Sequence, residues 1–150
     1  MTKVKFMKFS ADGSSTSAVR APTYANEGDA GMDVYSPVDG VIRYGELTVI
    51  KCGFAVEIPA GYEIQVRPKS GLALKHGITV VNTPGTIDSG YRGEVCVILT
   101  SLKAGTEFLV TAGMKIAQIV LKKHEHIEFE LTDSLADSDR GVGGFGSSGK

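Results

Sequence analysis

The chain has 150 residues, 42% hydrophobic and 22% charged, which fits one globular domain and excludes a disordered chain. Sixteen basic residues against seventeen acidic leave a net charge of -1, so no global basic field points to a nucleic-acid partner. The longest apolar run, Val95 to Leu99, is far short of the ~20 residues that span a bilayer, and Lys3, Lys5 and Lys8 break up the N-terminus, so a soluble, cytoplasmic protein with no membrane partner is expected.

Helical periodicity is nearly absent, and short β-type segments recur. Val4 to Phe9 is the first such segment, and a small polar loop, Ser10 to Ser17, follows. Runs rich in Val, Ile, Phe and Tyr then predict strands at Leu47 to Ile50, Phe54 to Ile58 and Tyr62 to Val66. The one helical stretch is Ser70 to Gly77, with Ser70 as its N-cap and Gly77 as its stop. Strands are predicted again at Ile78 to Val81, Glu94 to Leu99, Glu107 to Val110, Ile116 to Leu121 and Ile127 to Leu131. Turn residues such as Pro59-Ala60-Gly61, Thr83-Pro84-Gly85, Ser89-Gly90 and Ala112-Gly113 divide them. Many short strands at close spacing predict an all-β fold, a sandwich, jelly roll or barrel, with one short helix.

The β domain spans residues 1–132 and a tail spans residues 133–150. The tail has only Leu135, Val142 and Phe145 as large apolar groups and cannot bury itself. Extended at ~3.3 Å per residue it reaches roughly 60 Å, enough to cross onto a neighbouring subunit. Glycine is the compositional outlier, 19 residues or about 13% against a usual ~7%, and five of them fall in the last ten positions. Cys52 and Cys96 sit beside apolar residues and read as buried thiols of a reducing compartment.

Three segments combine charge with small residues in a way that suits phosphate. In Arg67-Pro68-Lys69-Ser70-Gly71-Leu72-Ala73 a helix start offers free N–H groups beside Lys69. In Gly85 to Glu94, Asp88 lies in a glycine-bounded turn with Tyr91 three residues on. An exposed Asp is ionised at pH 7 and accepts a proton from water, although an Asx turn explains the same residue. In Arg140 to Lys150 the glycines let backbone N–H groups approach an anion, Ser147 and Ser148 donate, and Arg140 offers a bidentate fork. Phe145 suits a lid that stacks on a planar ring, and a plain Gly-Ser linker is the bland alternative. His124 and His126 share one face of an extended segment, but Lys122, Lys123 and Glu125 favour a charged edge over a metal pair.

In order and content the segments resemble the trimeric dUTPase family. Ala30-Gly31-Met32-Asp33-Val34, Pro68 to Ala73, Asn82 with Gly85 to Glu94, Gly113 to Gln118, and Arg140 to Gly149 are similar to its five motifs. The resemblance implies a jelly-roll homotrimer in which the C-terminal arm of one subunit closes over a site built by the other two. It implies Mg²⁺-dependent hydrolysis of dUTP to dUMP and pyrophosphate, which limits uracil in DNA and supplies dUMP for dTMP synthesis. Asp88 would activate the water that attacks the α-phosphorus, and Tyr91 would pack under the deoxyribose. Asn82 and the main chain of Gly85, Thr86 and Ile87 would pair with uracil. Lys69, Ser70, Gly71 and Gln118 would meet phosphate oxygens, and Asp33 would hold metal-bound water. Arg140, Gly146, Ser147 and Ser148 would bind the outer phosphates, and Phe145 would cover the base. Lys69 and Lys115 stand where the family usually has Arg, and a Lys gives a point charge without the planar fork.

Two alternatives are weaker. A dCTP deaminase resembles the same fold, but the position ten residues past Asp88, where its catalytic Glu would lie, is Ile98. A trimeric β scaffold whose tail binds a partner protein is disfavoured by Asp33, Asp88, Tyr91, Arg140 and Phe145. These residues are compatible with a second, regulatory protein partner.

Overall fold

A computed structural model describes residues 1–9 and 17–145. The predicted polar loop at 10–17 lies, but for Ser17, outside the described residues. The described strands are β1 (Lys5–Lys8), β2 (Met32–Tyr35), β3 (Gly40–Arg43), β4 (Thr48–Lys51), β5 (Phe54–Glu57), β6 (Tyr62–Arg67), β7 (Ile78–Val80), β8 (Gly85–Ile87), β9 (Cys96–Ser101), β10 (Glu107–Val110) and β11 (Lys115–Lys123). Among the described residues a single helix, α1 (Ser70–His76), falls between β6 and β7. The chain is an all-β sandwich with one short helix, its described strand pairs all antiparallel. One sheet has the order β2-β11-β6-β8, a second β4-β9-β7, and the pairs β1-β5 and β10-β3 complete it.

Period-two alternation builds the core. Along β6, Ile64 and Val66 point inward while Gln65 and Arg67 do not, and along β9, Val97, Leu99 and Ser101 are buried. With Val34, Ile42, Phe54, Ile78, Val95 and Ile116 the apolar ones form one continuous cluster. Each large side chain so buried stabilises the fold by roughly 1.5–3 kcal/mol. No helix among the described residues is long and apolar enough to cross a membrane.

Three strands escape the sequence pattern. In β2, Asp33 is buried with Val34 and Tyr35, so alternation is lost. β3 opens on a glycine, and β8 is only three residues inside a glycine-bounded turn. One predicted strand is corrected. Ile127 to Leu131 alternates as expected, yet it pairs with nothing among the described residues, and Ile127, Phe129 and Leu131 are 73%, 90% and 98% exposed. The helix start is corrected by one residue. Lys69 is the N-cap, with no side-chain cap bond, and Ser70 is the first helical residue. The Lys69 side chain is drawn instead to Asp33, while its carbonyl accepts the Ala73 N–H. Gly77 ends the helix as predicted, left-handed at φ 68°.

Candidate active site

The four-stranded sheet sets Asp33 of the first motif and Gln118 of the fourth in one cross-strand row with Arg67. Asp33 of β2 lies opposite Gln118 of β11, and Gln118 lies opposite Arg67 of β6. Directly opposed residues project from the same face. Tyr35, two residues from Asp33, lies opposite Lys115, which is three residues from Gln118. That mismatch is a β-bulge between Lys115 and Ala117. It turns Lys115 onto the face that carries Asp33 and Gln118, while Ile116 and Ala117 are both buried.

Asp33 is 6% exposed and gripped from both sides. Lys115 Nζ stands 2.6 Å from Oδ2, and Lys69 Nζ contacts Oδ1. Burial pushes the Asp33 carboxyl up, but the hydrogen bonds and charges of the two lysines outweigh it and hold the group below the usual carboxylate range. The bond to Asp33 correspondingly raises the Lys115 ammonium above its ordinary value. Close by, Thr23 Oγ1 and the Tyr35 hydroxyl share a 2.6 Å hydrogen bond, and the Arg20 guanidinium lies 4.1 Å over the Tyr35 ring. Gln118 donates from Nε2 to the Pro68 carbonyl at 2.9 Å. A side chain at Gly31 would collide with Gln118 Oε1, so this glycine supplies room. Gln118, Arg67, Pro68, Ser70, Gln65, Thr83 and Pro84 line a hollow of about 420 Å³. Ser70 and Gly71 are exposed at the helix start beside it.

A second hollow, about 190 Å³, is lined by Thr86, Ile87, Asp88, Tyr91, Glu94, Val95 and Cys96. β8 reaches it with Gly85 and Ile87 buried and Thr86 exposed, and Asp88 follows as an exposed carboxylate. The Tyr91 N–H donates to the Asp88 carbonyl at 3.1 Å and closes the turn. The Tyr91 hydroxyl donates to the Glu94 carbonyl at 2.9 Å, which lays the ring across Gly93. Arg92 donates to the carbonyls of Ser89 and Tyr91 and braces the loop from outside. Asn82 is exposed, with its amide 3.0 Å from the place a Gly85 side chain would occupy, and the Thr83-Pro84 bond between them is cis.

The two hollows share no lining residue, Asp88 and Tyr91 bordering one and Ser70 and Gln118 the other, with Gln65 and Thr86 of the two linings paired across β6 and β8. Arg140 turns back on its own tail, Nε donating to the Gly143 carbonyl at 2.8 Å, and Phe145 is fully exposed. Gly146, Ser147 and Ser148 lie outside the described residues. Sequence reasoning missed the pairing of Lys115 with Asp33 and the part of Glu94. An Ile116 start to β11 gave no sign of the bulge. Among the described residues no group of three or more His, Cys, Asp and Glu side chains is placed to hold a metal. The His124 and His126 rings meet edge to face at 4.8 Å, and His76 packs on Phe108 at 4.8 Å.

The dUTPase family model matches residues 17–149. The deoxyuridine 5'-triphosphate nucleotidohydrolase of Clostridioides difficile is 53% identical over 128 residues, 85% of this chain and 89% of that protein. In structure the chain is similar to the Staphylococcus bacteriophage 80alpha dUTPase with dUpNHpp, at TM-score 0.84 and 25% identity over 100% of both chains. It is also similar to a mutant dUTPase from phage phi11 of S. aureus, which coordinates a structural Mg(II) ion, at TM-score 0.76 and 22% identity over 88% of this chain and 97% of that one. With a match that spans nearly the whole chain and a relative identical at half of the aligned positions, this chain belongs to the dUTPase family.

Proposed function

We propose that the protein hydrolyses dUTP to dUMP and pyrophosphate, with Mg²⁺, in a jelly-roll homotrimer. The observation that carries this reading is the loop from Asp88 to Glu94, an ionisable carboxylate on the rim of a cavity whose wall is a tyrosine ring anchored by its own hydroxyl. Asp88 accepts a proton from a water as the water oxygen attacks the α-phosphorus, and the bond to the pyrophosphate oxygen breaks. Tyr91 lies under the deoxyribose and leaves no room for a 2′-hydroxyl. Asn82 and the main chain of Gly85, Thr86 and Ile87 pair with the uracil edge. A cytosine would leave such a site with unpaired buried groups, a penalty that reaches ~10⁴-fold.

Lys69, Ser70, Gly71 and Gln118 meet the phosphates. The residues fit Mg²⁺ as an ion carried by the substrate, because this ion keeps several waters and binds through few carboxylates and the substrate's phosphates. Asp33 fits the part of holding one of those waters, since the two lysines keep it ionised and each carboxylate oxygen has a further lone pair to accept a water proton. When bound, the ion neutralises charge on the phosphates. Lys69 adds positive charge where phosphate oxygens gather.

The two separate hollows support a site shared between subunits. Ligand pockets run to roughly 300–1,000 Å³, and the cavity beside Asp88, at about 190 Å³, is too small for a nucleotide by itself. The exposed alternation of Ile127, Phe129 and Leu131 suits a segment that pairs with a neighbouring subunit's sheet. Residues 133–150 then form an arm, separate from the β domain of residues 1–132, that closes over a site built by the other two subunits. In it Arg140, Gly146, Ser147 and Ser148 bind the outer phosphates, and Phe145 covers the base. Pyrophosphate release from dUTP, dCTP, dTTP and UTP, with and without a chelator, tests the reading. Preferential cleavage of dUTP that the chelator suppresses is expected, and absence of pyrophosphate from dUTP with Mg²⁺ present would refute it.

A further inference from the structure

We infer that Glu94 is a positioning residue that sets the sugar selectivity of the site, acting through Tyr91. The inference rests on the reading that Tyr91 lies under the deoxyribose. Glu94 is tied in two directions. Its carbonyl accepts the Tyr91 hydroxyl at 2.9 Å. Its carboxylate runs the other way, and Oε1 accepts the Gly53 N–H at 2.8 Å.

Gly53 is a fixed point for that tie. It is buried in the turn between β4 and β5 at φ 73°, and a side chain there would collide with Val19. Its carbonyl accepts the Phe9 N–H at 2.7 Å. On either side the ladder is filled, Cys52 N–H donating to the Val95 carbonyl at 2.9 Å and Val95 N–H to the Phe54 carbonyl at 2.8 Å. The Gly53 N–H between them points at the Glu94 side chain. An acceptor of this length reaches from the active loop to the turn, and a shorter or apolar one leaves a buried donor unpaired.

Glu94 therefore connects the sandwich core to the Tyr91 ring. Two further facts tie the ring to this one carbonyl. Gly93 gives the ring its bed, since a β-carbon there would stand 2.5 Å from the phenol oxygen. Tyr91 is 45% exposed, so the hydroxyl bond matters to where the ring rests. Asp88 sits on the other limb of the turn, three residues away, and reaches the core through β8 rather than through Glu94. Loss of the carboxylate thus disturbs the sugar wall more than the base.

The test compares Glu94→Ala, Glu94→Gln, Tyr91→Phe and Tyr91→Ala with the parent, by kcat and KM for dUTP and UTP and by thermal melting. Glu94→Ala is expected to raise KM for dUTP and to cut the dUTP to UTP ratio of kcat/KM on the order of tenfold, with a smaller change in kcat. Glu94→Gln keeps an oxygen acceptor for Gly53 and should restore most of that ratio. A purely structural role would lower the melting temperature without moving the ratio. If Glu94→Ala does not fold, Tyr91→Phe decides, because it breaks the same link from the ring side and must lower the ratio too. Tyr91→Ala separates the two readings. A collapsed ratio there with an unchanged ratio in Glu94→Ala overturns the part given to Glu94 alone. An unchanged ratio in Tyr91→Ala overturns the sugar-wall reading itself, and the part given to Glu94 with it.

Discussion

Gly93→Ala places one methyl group beneath the Tyr91 ring. Its carbon would stand 2.5 Å from the phenol oxygen, 2.6 Å from Cζ and 3.0 Å from Cε2. Ordinary carbon contacts are about 3.5–4.0 Å, so the ring must rise by about 1 Å. The 2.9 Å bond from the hydroxyl to the Glu94 carbonyl does not survive that movement. Gly93 is not among the glycines at positive φ, so the backbone accepts alanine and the whole effect falls on the ring. The ring is half-exposed and has solvent to move into, so stability should change by less than about 1 kcal/mol. Catalysis should suffer more, because a misplacement of about 1 Å costs up to ~10²-fold. Steady-state pyrophosphate release on dUTP and UTP, beside a thermal melt, measures both. A fall of roughly ten- to a hundredfold in kcat/KM for dUTP, with a narrower gap to UTP and a melting temperature within a few degrees of the parent, is expected. Parental kinetics in a folded variant would refute the reasoning, since the ring would then not be a wall of the site.

Further outcomes are expected. Light scattering should give the mass of a trimer, and a monomer's mass would contradict the shared site. Limited proteolysis after Arg140 should slow when a non-hydrolysable dUTP analogue and Mg²⁺ are added, because ordering five glycines needs ligand contacts to offset ~1–2 kcal/mol per residue. Phe145→Ala should remove a stacking contribution of ~1–3 kcal/mol from analogue binding, and equal cleavage rates with and without analogue would make the tail a plain linker. Burial pushes the Cys52 thiol up to about 12, so the folded state keeps a proton that the unfolded chain loses near ~8.5. The stability this confers is complete below that pH and is lost as pH climbs toward 12. A thiol reagent at pH 8 should therefore label half-buried Cys96 first, and a Cys52→Ala variant should lose part of the alkaline fall in melting temperature.

How much of this was legible in the residues depended on whether the cue was local. Gly77 as a helix stop and the alternation of β6 and β9 could be read directly, since each depends on neighbours in sequence. The tail's lack of large apolar groups was also local, and the three it has, Leu135, Val142 and Phe145, are exposed in the single chain. Asp33, Asp88 and Gln118 were named from motifs, but what surrounds Asp33 was not legible. The bulge that turns Lys115 toward it exists only as a difference in spacing between two paired strands. Lys69 was legible as a positive charge at a helix start beside Ser70, but its contact with Asp33 was not, and the helix starts without a side-chain cap. Ile127 to Leu131 shows the converse. Its pattern is that of a strand, but a strand also needs an edge to pair with, and the described residues of this chain offer it none.

The central claim is that Asp88 is the base that activates water, and binding measured apart from turnover tests it most directly. Asp88→Asn should bind the non-hydrolysable dUTP analogue with Mg²⁺ about as tightly as the parent. In a single turnover of dUTP it should be slower by ~10²–10⁴-fold, the usual contribution of a general base. Turnover near the parental rate with binding intact would contradict the account and leave Asp88 as no more than the residue that opens a turn.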